Sequence, residues 1–543
     1  MSLISNRGLI DLNELSSTVT ETLMNAVAKT KGKRAPIAVA VALLLLGRTL
    51  LKKNLPPKHL RHIPYVTFWT VIRNVVLLKM PIRTLFETMS GPLVESNDGL
   101  YLRPERTGWV VHVSHPQLVK QVFLKTDTFP KVPTQSLKGS MLIDFVGTSN
   151  ILFQNIGPEW KKHRRLANPA FHRAMPVQLF GAAGLEMIDM LDEKYPGDTF
   201  TLDFHDLMER STLDIIGRAG FDFEFNAIKD KHSKWKEVYD EIVLSYRNPL
   251  HVMFPILDQK YRWLIPGRRA EYKRMYEFRN MLEEVIDHKR QLLKENRDLG
   301  IEEAERDLLT LMLEGELRGE GALTKDELIG DLAIFFVAGH DTTANAMNST
   351  IYWLCRHPEV QEKAREEINR VLCPEGPEPQ YDIIPTLAQT KELFYVYQIM
   401  KESLRMSGPV NSLVTPRVAQ DNLDFNGTLI PKGTLVSVNL FDLHHNPHVW
   451  KDPFVFNPDR FADGAEADIN ARNGLAWTPF SNGTRQCIGM QFSLAEQKVL
   501  LAMLLRRYEF SLPEGSIHAE RFITNNHVVA SPIDLNITFK RRF

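Results

Sequence analysis

Cysteine is scarce in this chain: Cys355, Cys373 and Cys487 are the only three among 543 residues. So odd and sparse a set excludes a disulfide scaffold. It fits a reducing compartment, where a cysteine is buried, catalytic or a metal ligand. Net charge is lacking too, because 66 basic residues cancel 66 acidic ones. The balance therefore gives no electrostatic reason to expect a nucleic-acid partner. Disorder is excluded by 43% hydrophobic and 24% charged residues, which is ordinary globular usage. No Gly/Ser-rich linker, repeat or low-complexity tract lies beyond residue 65. The length divides by ~150 residues into three or four domains as a loose prior, but the composition reads as one large domain.

A full membrane-spanning run of about 20 apolar residues is missing as well. Residues 35–47, APIAVAVALLLLG, carry no charge before Arg48 interrupts. A core helix and an N-terminal anchor both fit so short a run. Flanking KGKR and Lys52-Lys53, with Pro56, Pro57 and Pro64 beyond, favour the anchor, since an arginine near the end of a span can snorkel to the interface. Asp11, Glu14 and Glu21 in the 34 preceding residues argue against a cleaved signal and a mitochondrial presequence. The expected division is an extension over 1–34, a candidate transmembrane anchor over 35–53 and a proline-containing hinge over 54–66.

Helical patterning dominates the rest of the chain. Residues 272–298 place apolar side chains at helical spacing between charges. Thr324 and Glu327 form a capping-box pattern and Pro358 a stop. The helix between them, 325–356, would be ~48 Å long at 1.5 Å per residue. Charged residues over 294–320 read as a solvated helix and loop. Strand-like pieces are short, over 99–115 and 423–444, with turns at Asn426-Gly427 and Pro431-Lys432-Gly433. The expected class is α+β, mostly α-helical, with a small β-rich region.

Four constellations carry chemistry. The first is Phe480-x-x-Gly483-x-Arg485-x-Cys487-x-Gly489, directly before a helical run. Gly483 permits a tight turn, and Gly489 lets the backbone approach something flat and bulky. Backbone N–H groups, a helix N-terminus and Arg485 would lower the pKa of Cys487 and make it a good thiolate ligand; a buried structural cysteine is the plain alternative. The second is Ala338-Gly339-His340-Asp341-Thr342-Thr343, inside the long helix. Ala338 and Thr342 share a face with Phe335 and Ala346. Thr342 can bond back one turn and open the helix to water, and Asp341 offers a carboxylate for proton delivery. The third is Glu402-x-x-Arg405, a pair on one helical face that Arg460 of FNPDRF can join; alone it reads as a surface salt bridge. The fourth is Trp160 with Arg164, one turn apart in a basic helix and suited to donating together to a carboxylate.

In this order, the four motifs resemble the cytochrome P-450 family of haem-thiolate monooxygenases, in its microsomal form, over residues 60–540. The resemblance implies that family's fold, with haem b (iron protoporphyrin IX) held between two long helices of a catalytic domain over 67–543. It makes Cys487 the axial iron ligand, and Trp160, Arg164, Arg417 and Arg485 the propionate contacts, with Gly489 beside the cofactor. Arg417 rests on VTPRVAQD (414–421) alone. Glu402, Arg405 and Arg460 become a structural triad, and Asp341 with Thr342 the acid–alcohol pair of oxygen activation. A thiolate pushes electron density through iron and favours O–O cleavage. The implied reaction inserts one oxygen atom of O2 into a C–H bond.

Neither a Rossmann or flavin fingerprint nor a Cys-x-x-Cys-His is present. Haem is therefore not covalently held through cysteines, and electrons must come from a partner. The implied partners are a membrane-bound NADPH–cytochrome reductase and cytochrome b5 at the cytosolic face of the endoplasmic reticulum. Lys161, Lys162 and Arg165 offer a basic dock for an acidic partner.

Apolar Leu142, Ile143, Phe145 and Val146, with polar Asn411, Ser412 and Thr415, suit a bulky lipophile bearing a few oxygens. A steroid or terpenoid is slightly favoured; a fatty acid would draw on Lys131 or Lys138. Two rival classes stand beside this reading. One is a haem-thiolate isomerase or dehydratase needing no reductase, and the other a non-enzymatic haem- or lipid-binding membrane protein.

Overall fold

The computed structural model describes residues 54–543 apart from 106, 134–137, 173–174, 249–250, 252–255, 296–305, 375–379 and 528. The candidate anchor over 35–53 and the extension before it lie outside the described residues. Among those described, no helix is long and apolar enough to cross a membrane.

Twelve of the helices carry the argument: α1 (Pro116–Leu124), α2 (Met141–Val146), α3 (Pro158–His172), α4 (Val177–Lys194), α5 (Phe204–Phe221), α6 (Lys234–Arg247), α7 (Pro266–Lys294), α8 (Leu308–Leu317), α9 (Lys325–Arg356), α10 (Pro358–Leu372), α11 (Phe394–Ser407) and α12 (Met490–Arg507). The sequence places α9 to the residue. Thr324 Oγ1 accepts from the Glu327 N–H while the Glu327 carboxylate accepts from the Thr324 N–H, which satisfies two of the donors a helix start leaves open. α9 runs through the core, where Leu332, Phe336, Met347, Ile351 and Leu354 are fully buried. Each such side chain contributes about 1.5–3 kcal/mol by leaving water. α5 lies along α9, with Phe221 stacked on Phe336 at 4.1 Å between ring centroids. At Gly330 the loop after α2 comes so close that a Cβ would stand 2.6 Å from the Val146 carbonyl oxygen.

The strands form three small sheets. β1 (Leu100–Glu105), β2 (Gly108–Val113), β7 (Leu435–Val438) and β4 (Arg417–Val418) are ordered β1-β2-β7-β4, with β2 and β7 parallel. β3 (Thr199–Asp203), β9 (Asn536–Arg541) and β8 (Tyr508–Ser511) make the second, and the hairpin β5 (Leu423–Phe425) with β6 (Thr428–Ile430) the third. Asn426 and Gly427 both take positive φ, at 50° and 85°, as a tight two-residue hairpin turn requires. A core separate from the helical one sits under β1, β2 and β7, where Leu102, Val111, Val436 and Val438 meet Leu118 and Val122 of α1.

One expectation fails in part. Charge density over 294–320 suggested solvated structure, yet α8 buries Leu308, Leu309, Thr310, Leu311, Met312 and Leu313. The charges flank a short apolar run, and a window average hides it.

Candidate active site

The loop before α12 turns sharply. Ser481 and Gly483 both have positive φ, at 59° and 66°, and the Asn482 side chain accepts from the Gly483 N–H. The Cys487 N–H donates back to the Phe480 carbonyl at 2.9 Å. These bonds fix a thiol three residues ahead of α12. Burial pushes that thiol up; the Gly489 N–H and Arg164 pull it the other way without cancelling the effect. The expected lowering is therefore not found in the protein alone, because the cost of a charge away from water outweighs the local dipoles. A metal cation reverses that balance, since a coordinating thiol loses its proton outright.

Cys487 is nonetheless exposed by surface area. A side chain both ringed by protein and accessible faces an internal gap. α9 packs against α12 close by. The helix is buried from Leu328 to Phe336 and again from Thr343 to Leu354, but Ala338 between them is exposed and Thr342 half-buried. Thr342 Oγ1 donates to the Ala338 carbonyl at 2.6 Å, so one turn of α9 presents a hydroxyl at the opening. Phe171 ties the walls together: its ring meets Phe335 edge-on at 5.1 Å, and a Cβ on Gly489 would come to 3.9 Å from it. Thr343 and Ser493 join α9 to α12 at 2.9 Å between hydroxyls. Asp341 is buried beside this opening, with Oδ1 2.9 Å from His340 Nδ1.

Cations converge nearby. Arg417 and Arg485 line a cavity of about 200 Å³ with Thr126, Asp127, Pro130 and Asn155. Burial brings Arg417 down to about 10 and, helped by Arg417 and Arg164, Arg485 to about 9. Lys131 is driven well below its usual value by burial and by both arginines. Asp127 is the carboxylate in that lining, and the Nε atoms of Arg417 and Arg485 are buried without a hydrogen bond.

The cytochrome P450 family model matches residues 100–538. This chain belongs to the cytochrome P450 family.

Curated P450 relatives span most of the chain. Human cytochrome P450 4F8 is 29% identical over 414 residues, 75% of this chain and 76% of that protein. Rat cytochrome P450 4F6 is 33% identical over 374 residues, 66% of each. Echinocystic acid 23-monooxygenase of Saponaria officinalis is 29% identical over 450 residues, 80% of each. Among solved structures, the haem domain of cytochrome P450DA aligns with a TM-score of 0.71 at 21% identity, covering 89% of this chain and 98% of that one; this shows the fold. The P450 fold is thus shown, and the protein is a haem-dependent monooxygenase.

The residues present in this P450 fit haem. A soft sulfur donor suits its iron, the accessible Cys487 and Ala338 leave it room, and the buried arginines match its two carboxylates. The positions read from the sequence are brought only partly together. Arg417 and Arg485 meet at one cavity, and Lys131, which the sequence suggested as a substrate contact, lies near both. Only the bridge pairing Lys131 with Arg417 reveals that grouping. Trp160 spends its indole N–H on the Ile151 carbonyl at 3.1 Å and lies under the Arg485 guanidinium at 4.4 Å. Arg164 reaches the Gln486 carbonyl at 3.4 Å, next to the thiol in the chain.

Behind the cysteine loop stands the buried acid–base group of this P450. Arg405 donates twice to Glu402, at 2.7 and 2.8 Å, with both side chains fully buried. Arg460 Nε approaches the same carboxylate at 3.4 Å. Arg405 also holds the His444 carbonyl at 2.8 Å, and the neutral His444 ring, brought down to about 3 by burial and Arg405, accepts from the Thr478 N–H at 3.1 Å. Trp477 Nε1 donates to the Lys401 carbonyl. Two tethers thus run from α11 to the start of the cysteine loop. The sequence pattern signalled the triad; His444 carried no recognisable signal.

Proposed function

We propose that this P450 hydroxylates a C–H bond of a bulky lipophile, with a steroid or terpenoid ahead of a fatty acid. Bound haem supplies the activation of dioxygen. Cys487 holds it through sulfur, Gly489 leaves it space, and Arg417, Arg485 and Lys131 take its carboxylates, with Trp160 and Arg164 packed beside them. Thr342 and Asp341 hold and pass protons at the opening. The observation that carries the reading is an accessible thiol just before α12 together with an accessible turn in the middle of α9, the two helices being joined through Thr343 and Ser493. An isomerase needs no proton-delivery pair, so the buried Asp341 beside Thr342 favours the oxygenase.

The substrate preference rests on cation supply. Lys131 is committed to the Leu152 carbonyl and to the arginine cluster, which removes one of two lysines able to meet a fatty-acid carboxylate. Lys138 remains exposed. A relative named for hydroxylating echinocystic acid supports a polycyclic substrate. Electrons come from an NADPH–cytochrome reductase, with cytochrome b5 as a second donor, at the endoplasmic reticulum membrane. Exposed Trp69, Leu77 and Leu78, close after the proposed anchor and hinge, suit contact with that membrane.

Testing progesterone, oleanolic acid and lauric acid for a spin-state shift of the haem will decide the class. A shift with lauric acid alone overturns the preference. Thr342→Ala is expected to lower product per NADPH by about tenfold, less than the full contribution of a proton-transfer group, with peroxide released instead. Unchanged coupling removes the role given to Thr342.

A further inference from the structure

We propose that Asn482 is a self-modification site: the backbone nitrogen of Gly483 captures its side-chain amide, and the cysteine loop is slowly and irreversibly converted to an acidic form that holds haem less well. The site stands apart from the oxygenase reading and draws on Cys487 only for its consequence.

The sequence holds three Asn-Gly pairs, Asn426-Gly427, Asn473-Gly474 and Asn482-Gly483. In each, a glycine without a side chain leaves its nitrogen open to the amide that precedes it. The fold then sets the three apart. In the β5–β6 turn the Gly427 N–H donates to Asp424 Oδ1 at 2.6 Å, and Asn426 Nδ2 donates to Asp98 Oδ2 at 2.6 Å. Each reacting group is thus tied to its own carboxylate, and the negative charge opposes loss of the Gly427 proton. Gly474 is buried, and a Cβ on it would stand 2.5 Å from the Pro116 carbonyl carbon. Its N–H donates to the Ala471 carbonyl at 3.4 Å, away from the Asn473 side chain.

At the third pair the two groups face each other. Asn482 Oδ1 lies 2.7 Å from the Gly483 nitrogen. Cγ is one C=O bond, ~1.23 Å, from that oxygen, which brings it toward the ~3–3.5 Å separation of reacting atoms. The partner of the Gly483 N–H is the amide itself, not a carboxylate. Ser481 and Gly483 keep positive φ, at 59° and 66°, and the Gln486 N–H donates to the Gly483 carbonyl at 3.0 Å, so the loop holds the pair in this arrangement. Both residues are half-buried, within reach of solvent.

In the first step hydroxide takes the Gly483 N–H proton and the nitrogen attacks Asn482 Cγ. The N–Cγ bond forms, the Cγ–Nδ2 bond breaks, and Nδ2 leaves as ammonia with a proton from water. Water then opens the cyclic imide at either carbonyl, giving aspartate or isoaspartate at position 482. Isoaspartate routes the main chain through the side chain and adds Cβ to its path. Position 482 lies inside the loop that the Cys487 N–H and the Phe480 carbonyl close at 2.9 Å. A longer path there displaces the thiol from haem.

The test ages the haem-loaded enzyme in heavy-oxygen water at neutral and mildly alkaline pH. Peptides covering all three pairs are read by mass spectrometry beside the reduced carbon-monoxide spectrum. Position 482 is expected to take up label about tenfold faster than 426 and 473, and faster at the higher pH, with the thiolate band falling in step. In urea the three sites are expected to convert alike, because the ordering belongs to the fold. N482Q, whose longer side chain must close a larger ring, is expected to keep its band under the same ageing. Where N482Q does not fold, the labelling of the wild type decides. Label at 426 or 473 that matches position 482 overturns the proposal, as does the same ordering in urea. Label at 482 with an undiminished band overturns the effect on haem. An imidazole-type spectrum before ageing removes the Cys487 assignment and leaves the labelling result untouched.

Discussion

Cys487→Ala is expected to lose monooxygenase activity by about a thousandfold or more, equivalent to about 4 kcal/mol of barrier. The reduced carbon-monoxide spectrum will lose its thiolate character. The loss is this large because no other sulfur can substitute. Burial pushes the Cys355 thiol far above its ordinary range, and Cys373 follows α10, outside the cysteine loop. Cys355→Ala and Cys373→Ala are accordingly expected to keep both spectrum and activity. A wild-type spectrum from Cys487→Ala, or an imidazole-type spectrum from the wild type, removes the ligand assignment and with it the oxygenase mechanism.

Glu402→Ala is expected to destabilise the protein by about 3–5 kcal/mol, the cost of leaving a buried charge uncompensated. Here Arg405 loses its carboxylate and Arg460 loses one of two, since Arg460 also pairs with Glu466. Arg405 retains the His444 and Pro453 carbonyls, but carbonyls do not neutralise a guanidinium. The measurement is the denaturant midpoint of unfolding, read alongside haem retention. Both are expected to fall, since His444 and Trp477 pass any shift of α11 to the cysteine loop. Arg405→Lys is expected to fare little better, because an ammonium cannot reproduce the two parallel bonds to Glu402. A midpoint within about 0.5 kcal/mol of wild type, as for an exposed pair, would show that the triad holds nothing.

Local signals made the long elements legible. Thr324, Glu327 and Pro358 bracket α9, and Asn426-Gly427 marks the hairpin, because capping and turn chemistry act over a few residues. What the sequence concealed depends on contacts distant along the chain. Lys131 is a surface-type residue by composition, and only its place beside Arg417 and Arg485 makes it part of a cation cluster. Glu402 and Arg405 read as a surface pair until the fold buries both. The Cys487 expectation erred for a related reason: loop dipoles and a helix start are visible in sequence, whereas the depth of burial is not. Trp160 shows the reverse case, since its N–H has a backbone partner in Ile151 that no spacing rule anticipates.

The two arginines that line the 200 Å³ cavity, with Lys131 near them, have a consequence for biosynthesis. Before the cofactor arrives they repel one another, so the freshly made polypeptide carries an electrostatic load that haem reduces on entry. Any molecule that binds the native form selectively adds its binding free energy to stability. The amount of mature enzyme a cell accumulates should therefore follow its porphyrin supply, with starved cells sending the polypeptide to proteolysis.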